Sequence, residues 1–122
     1  RKNAEGENMK IAGNTVTTRK RLFEGAGEVL MENLFEPGDF STGVRLCARI
    51  TLPPGCSIGY HVHRREDELY YILTGTGWVT DAGESHEVGP GSAVLTRDGE
   101  GHSLENTGDG DMTLLAVIPL QR

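Results

Sequence analysis

The sequence predicts an all-β domain, a sandwich or closed barrel of antiparallel strands. Three observations carry that expectation. Short runs rich in β-branched and aromatic residues follow one another from Glu28 onward, and most of the 17 glycines and 5 prolines stand singly between them. No long segment keeps a helical period with caps at its ends, so at most short helical turns are expected. Closing a sheet, or packing two face to face, is how antiparallel architectures dispose of exposed edges.

Taken in order, the strand candidates are EVLMENLF, VRLCARITL, ELYYIL, GWVTD, SHEV, SAVLT, HSLEN and MTLLAVI. The turn clusters between them are EPGD, PPG, GTG, DAGE, GPGS, RDGEG and NTGDGD, rich in residues that reach positive φ, preset φ or bond their own backbone. In VRLCARITL, Val44, Leu46, Ala48, Ile50 and Leu52 share one parity while Arg45, Arg49 and Thr51 share the other. That is the period-two signature of a strand with one buried face. Residues 1–20 are expected to be a flexible N-terminal lead, most clearly in the polar RKNAEGENM, and residues 21–122 the single folded domain.

A chain of 122 residues forms one core and removes roughly two-thirds of its unfolded surface from water. The net charge of -6 and pI near 5.1 repel phosphate backbones and anionic lipid, and Arg19-Lys20-Arg21 is too short a cluster to reverse that. Nucleic acid and membrane partners are therefore disfavoured. No apolar stretch approaches the ~18 residues of a membrane span, and the N-terminus lacks the apolar core of a secretory signal, so a cytoplasmic location is the expectation. In that reducing compartment Cys47 and Cys56 are expected as buried thiols without a chemical role.

The chemistry concentrates in HVHRREDELYYILTGTG, His61 to Gly77. On a strand, His61 and His63 project from one face about 6.6 Å apart, close enough for their imidazoles to share a cation. After the polar turn RRED the chain returns with Glu68, placed to add a carboxylate from the neighbouring strand of a hairpin. A lone His-x-His also fits an exposed pair in a loop. The Gly-Thr-Gly at residues 75–77 reads as a tight hairpin turn, not a phosphate cradle.

Gly55, His61, His63, Glu68 and Gly75 fit the pattern G-x5-H-x-H-x4-E-x6-G, and Gly91, Gly99, His102 and Asn106 fit G-x5-P-x-G-x2-H-x3-N, with Arg97 in place of the proline. These are the two cupin motifs, and the chain from Gly55 to Asn106 resembles a small single-domain cupin of the metal-binding type. The resemblance implies a jelly-roll barrel, an antiparallel double-stranded β-helix. It implies one divalent transition metal, Fe, Mn, Ni, Zn or Co, held by His61, His63, Glu68 and His102, with Asn106 structural. Ligand softness and affinity order leave the choice among those ions open. It further implies a homodimer, for which GEVLMENLFEP is a plausible strand donated to the partner, and a looser turn where Arg97 replaces proline.

Tyr70 and Ile72 share parity with Glu68. Tyr70 is the candidate catalytic residue, donating to a metal-bound substrate, or it buries its ring with the hydroxyl satisfied elsewhere. Leu104 shares parity with His102 and is expected to form apolar wall. Tyr60, Tyr71 and Leu73 are expected on the outer face, His86 at the surface, and Trp78 packed. No lysine or arginine has ligand parity, which favours a small or apolar substrate chelated through oxygen; a phosphorylated or polycarboxylate one would depend on Arg45, Arg49 or Arg97. The function expected is that of a metal-dependent enzyme on a small organic molecule, of dioxygenase, isomerase or lyase type. The alternative is a non-catalytic module binding a small molecule or metal.

Overall fold

The computed structural model describes residues 9–11 and 15–120. Among them lie ten strands: β1 (Thr15–Lys20), β2 (Glu28–Asn33), β3 (Val44–Leu52), β4 (Ser57–Val62), β5 (Glu68–Thr74), β6 (Gly77–Asp81), β7 (Glu84–Val88), β8 (Ala93–Thr96), β9 (Gly101–Asn106) and β10 (Met112–Pro119). The helical content is a 3-10 turn at Leu22–Glu24 and another at Pro37–Asp39. The strands form a six-stranded antiparallel sheet in the order β1-β2-β3-β10-β5-β8 and a four-stranded one in the order β4-β9-β6-β7. From β3 onward the chain crosses from one sheet to the other at nearly every turn, staying in one sheet only for the β6–β7 hairpin, which is the jelly-roll path.

That crossing revises two expectations. The strands β4 and β5 belong to opposite sheets, so RRED is a bridge across the sandwich and not a hairpin turn. Thr74–Gly77 likewise carries β5 of one sheet into β6 of the other. Glycine is needed there on steric grounds as well: Gly75 has φ 83 and its missing Cβ would stand 2.7 Å from the Met112 Cα, while a Cβ on Gly77 would overlap the Glu105 carbonyl oxygen.

The core lies between the sheets. Val29, Ile50, Leu52, Ile58, Ile72, Leu104 and Leu114 are buried within it, and each fully buried aliphatic side chain contributes about 1.5–3 kcal/mol. The period read in VRLCARITL holds, with Ala48, Ile50 and Leu52 buried and Arg45 and Arg49 exposed. Asn106 is buried and structural: its Nδ2 donates to the carbonyls of Leu52 at 2.8 Å and Gly110 at 2.9 Å, and its Oδ1 accepts from the Gly108 N–H.

The lead differs from its expected extent. Residues 15–20 form β1, paired along its whole length with β2 from Thr15↔Asn33 to Lys20↔Glu28. Every residue of β1 is exposed, so it offers no apolar alternation to read, only the β propensity of Thr15 to Thr18. Residues 1–8 and 12–14 of that lead lie outside the described residues. The strand in GEVLMENLFEP is β2, which sits between β1 and β3 of its own sheet. Trp78 is 40% exposed on the outer face of the small sheet, where its parity with buried Val79 is opposite, and Cys47 and Cys56 are free but only half-buried. Tyr60, Tyr71, Leu73 and His86 are exposed, and Leu104 is buried, as their parities predict.

Candidate metal centre

A β-bulge aims the first histidine. Strand β4 pairs with β9 through Ile58↔Leu104 and His61↔His102, so one more residue lies between the partners on β4 than on β9. The extra residue reverses the parity, and both Ile58 and His61 face inward although three positions apart. His63 follows just after β4 and is fixed by its backbone, which accepts from the Gly99 N–H at 2.7 Å and donates to the Glu100 carbonyl at 2.9 Å. Glu68 opens β5 in the opposite sheet. His61 stacks on Phe23 of the first 3-10 turn, ring centroids 4.0 Å apart, and His102 stacks on Tyr70 at 4.7 Å.

Four ligand atoms from these elements converge within 4.8 Å of one another, so the structure brings together all of His61, His63, Glu68 and His102. The His102 Nε2 stands 3.1 Å from the Nε2 of both His61 and His63. Glu68 Oε1 stands 2.9 Å from His63 Nε2, 3.0 Å from His102 Nε2 and 4.0 Å from His61 Nε2. The outer ring nitrogens decide what those inner atoms carry. His61 Nδ1 lies 2.9 Å from the Gly59 carbonyl and His63 Nδ1 2.7 Å from a Glu66 carboxylate oxygen, both pure acceptors. Each Nδ1 therefore bears a proton, and in the neutral imidazole that leaves Nε2 with the lone pair. His102 Nδ1 sits 2.7 Å from the Thr96 hydroxyl, which can accept from it or donate to it.

Three Nε2 atoms and a carboxylate oxygen thus point at one place. Glu68 Oε1 is buried with no hydrogen-bond donor aligned on it, an arrangement that costs free energy unless a cation lies among the four. Atoms bound ~2.1 Å from one ion and at right angles stand about 3.0 Å apart, which matches the four short separations. The residues fit a divalent metal, and imidazole with carboxylate suits the transition ions.

The electrostatics favour the metal-ready protonation state. Burial acts to raise the Glu68 pKa, but in the metal-free site hydrogen bonds from His102 and His61 and positive charge on His102 and His63, when those rings carry the proton, outweigh it and hold the group at about 2. Burial lowers the His102 pKa against the opposing pull of Glu68, keeping its imidazole neutral. Tyr70 is fully buried, and burial followed by the Glu68 charge pushes its phenol well above its ordinary value. The hydroxyl therefore keeps its proton.

A pocket of about 390 Å³ opens on the cluster, lined by apolar groups such as Phe23, Met31 and Ile118 and by Tyr70, Glu66, Arg19 and Arg45. Of the arginines considered from sequence, only Arg45 reaches it. Arg49 pairs with Glu32 at 2.7 Å, and Arg97 with Glu100 at 3.3 Å. The turn at Arg97 is not loosened: Glu100 N donates to the Arg97 carbonyl, and Arg97 N to the Glu100 carboxylate at 2.8 Å. Arg19 and Glu66 also line the pocket, beyond the residues the sequence points to. Arg19 lies in the expected lead and carries no signal in sequence; Glu66 sits inside the charged turn, and its spacing of three from His63 is its one trace.

A jelly roll with three histidines and one glutamate gathered between its sheets defines a class, the β-sandwich protein with a metal-competent centre. The Cupin domain model matches residues 48–118, and the chain belongs to the cupin family. It is 41% identical over 118 residues to an oxalate-binding protein of Thermotoga maritima, spanning 95% of this chain and 98% of that one. The crystal structure of a predicted oxalate decarboxylase from Thermotoga maritima superposes with a TM-score of 0.88 at 40% identity, covering 93% of this chain and 100% of that one. A polyketide cyclase from Streptomyces resistomycificus shares the fold, with a TM-score of 0.75 at 24% identity over 94% of this chain and 82% of that one.

Proposed function

We propose that this chain holds one divalent transition metal at His61, His63, Glu68 and His102 and uses it to bind a small dicarboxylate of the oxalate class. The observation that carries the reading is the convergence of three histidine Nε2 atoms on a buried Glu68 oxygen that no donor is aligned on. When bound, the metal supplies a Lewis acid that polarises and holds the oxygens of the ligand. The chain's own residues do the rest. Arg19 places positive charge on the pocket wall, which suits an anion, the charge of Arg45 being balanced by Glu66, while Phe23, Met31 and Ile118 restrict the space around it. The 41% identity to an oxalate-binding protein supports the ligand class.

Capture is favoured over turnover. The acidic residues lining the pocket are Glu66 and Glu68, the first bonded to Arg45 and His63 and the second part of the cluster, so neither is placed to shuttle a proton. A second reading, a metal-dependent enzyme of dioxygenase, isomerase or lyase type, is favoured by Tyr70, whose protonated hydroxyl belongs to a pocket-lining ring. Elemental analysis and calorimetric titration with oxalate separate these readings. Stoichiometric metal and saturable oxalate binding without formate or carbon dioxide formation support capture. Turnover lost in Tyr70→Phe supports the enzyme, and protein that takes up no metal refutes both. We further propose that a second copy covers the outer face of the large sheet.

A further inference from the structure

The turn between β4 and β5, RRED at residues 64–67, reads from sequence as a solvated connection. Its geometry is that of a built layer behind the centre. The Arg65 N–H donates to the Asp98 carboxylate at 2.6 Å, the Asp98 N–H to Asp67 at 2.9 Å, and Glu66 bridges antiparallel to Leu120. Arg65 holds φ 62, a conformation that side chains other than glycine adopt at a cost. These constraints turn the Glu66 side chain inward, where it is only 11% exposed. Arg45 Nε and Nη2 fork onto its two oxygens at 2.7 and 2.8 Å, and Oε2 also accepts from His63 Nδ1 at 2.7 Å.

We propose that Glu66, clamped by Arg45, is the positioning residue of the metal centre: its carboxylate fixes His63 in the Nδ1–H form and so presents the Nε2 lone pair. The inference rests on the metal reading given above. A neutral imidazole with no partner at Nδ1 divides between two tautomers, and in one of them a proton occupies the nitrogen the metal needs. A carboxylate at that position removes the alternative and increases the electron density at Nε2. Arg45 contributes indirectly, because without its planar fork the Glu66 carboxylate is free to turn away.

The experiment reads the apo and the loaded protein separately. In the apo protein, ¹⁵N chemical shifts of the histidine side chains report the tautomer of His63: the wild type shows the Nδ1–H form, Glu66→Ala a mixture, and Glu66→Gln, whose amide oxygen still accepts the proton, the wild-type form. Titration with Zn(II) and Mn(II) then gives affinity, expected to fall about 10- to 100-fold in Glu66→Ala, the range for lost partners of metal-bound histidine, and by less in Glu66→Gln. Arg45→Met lowers affinity in the same direction, and its effect does not add to that of Glu66→Ala in the double variant, since both act through one carboxylate. Unchanged His63 tautomer and unchanged metal affinity in Glu66→Ala overturn the proposal. If Glu66→Ala fails to fold, Glu66→Gln and Arg45→Met decide: reduced affinity with apo melting temperature unchanged supports a positioning role, and wild-type affinity in both refutes it. Failure of the wild type to bind any metal refutes the metal reading, while the apo tautomer still tests Glu66.

Discussion

At the residue scale the centre is a problem of uncompensated lone pairs, and proton competition follows from it. Glu68, held at about 2, stays ionised through the whole range in which histidines titrate. His102 has its pKa lowered by burial, so it stays neutral until the pH is below the ordinary histidine value of about 6.5. Both groups are depressed in the folded state. Their stabilising contributions are therefore present above the unfolded pKa values and are lost as pH falls through the folded ones. Metal affinity is expected to be flat above about pH 7 and to fall at lower pH, below the ordinary histidine value, as His102 takes up a proton, which titration of Zn(II) at a series of pH values checks. Glu68→Gln should abolish metal binding and lower the apo melting temperature only moderately, by the stability that its ionised carboxylate contributes through its lowered pKa. A large apo destabilisation by calorimetry would instead make Glu68 a structural residue. His61, His63, Glu68 and His102 were legible in sequence because their order and spacing follow a motif. Glu66 was not, since its role depends on Arg45, 21 residues away, and a charge run at a turn carries no sign of which member faces inward.

At the element scale the site depends on the irregular part of β4. The bulge between Ile58 and His61 presents both to the interior, and the 3-10 turn at Leu22–Glu24 packs against it. Gly59 is the contact point: a Cβ there would overlap the Phe23 carbonyl oxygen, and its nearest backbone includes the Gly25 nitrogen at 2.9 Å. The Gly59 carbonyl also accepts from His61 Nδ1, and Phe23 is the ring on which His61 stacks. Gly59→Ala is therefore expected to push the turn away, costing about 1–3 kcal/mol by overpacking. It should also weaken metal binding, since two supports of His61 move together. Urea unfolding followed by metal titration checks both effects, and wild-type values in both would show that the turn adapts at no cost. The regular strands β3, β5, β6 and β10 were legible because alternation or a continuous apolar run announces burial. The bulge was not, because one added residue leaves no compositional trace. Nor were the crossings: GTG and RRED have hairpin chemistry, and only the pairing of distant strands sends the chain to the other sheet.

At the scale of the whole molecule, the large sheet is apolar on its inner face and, over β8, β5 and β10, on its outer face as well. Its inner face is the core. On its outer face the register aligns Leu95, Leu69, Val117 and Cys47 in one row across β8, β5, β10 and β3, with Ala93, Tyr71, Leu115 and, at the β3 edge of the patch, Arg49 in the next. Leu95 is 58% exposed, Tyr71 42% and Leu69 39%. A contiguous patch of this kind marks an interaction surface, whereas scattered exposed leucines need no partner. Two copies meeting about a two-fold axis would set each row against its equivalent, and closed two-fold dimers are the commonest way such a face is covered. The smaller sheet offers no equal, since its outer face carries Glu105, Glu87, Thr80 and Ser103 around Trp78. The expected result is a dimer in solution by light scattering, converted to monomer by Leu69→Glu, which sets like charges against each other in the middle of the contact. The metal cluster lies on the inner side and is contributed by one chain, so that monomer should still bind metal with wild-type affinity. A wild-type monomer at tens of micromolar protein, or a Leu69→Glu variant that remains dimeric, would assign this face another occupant.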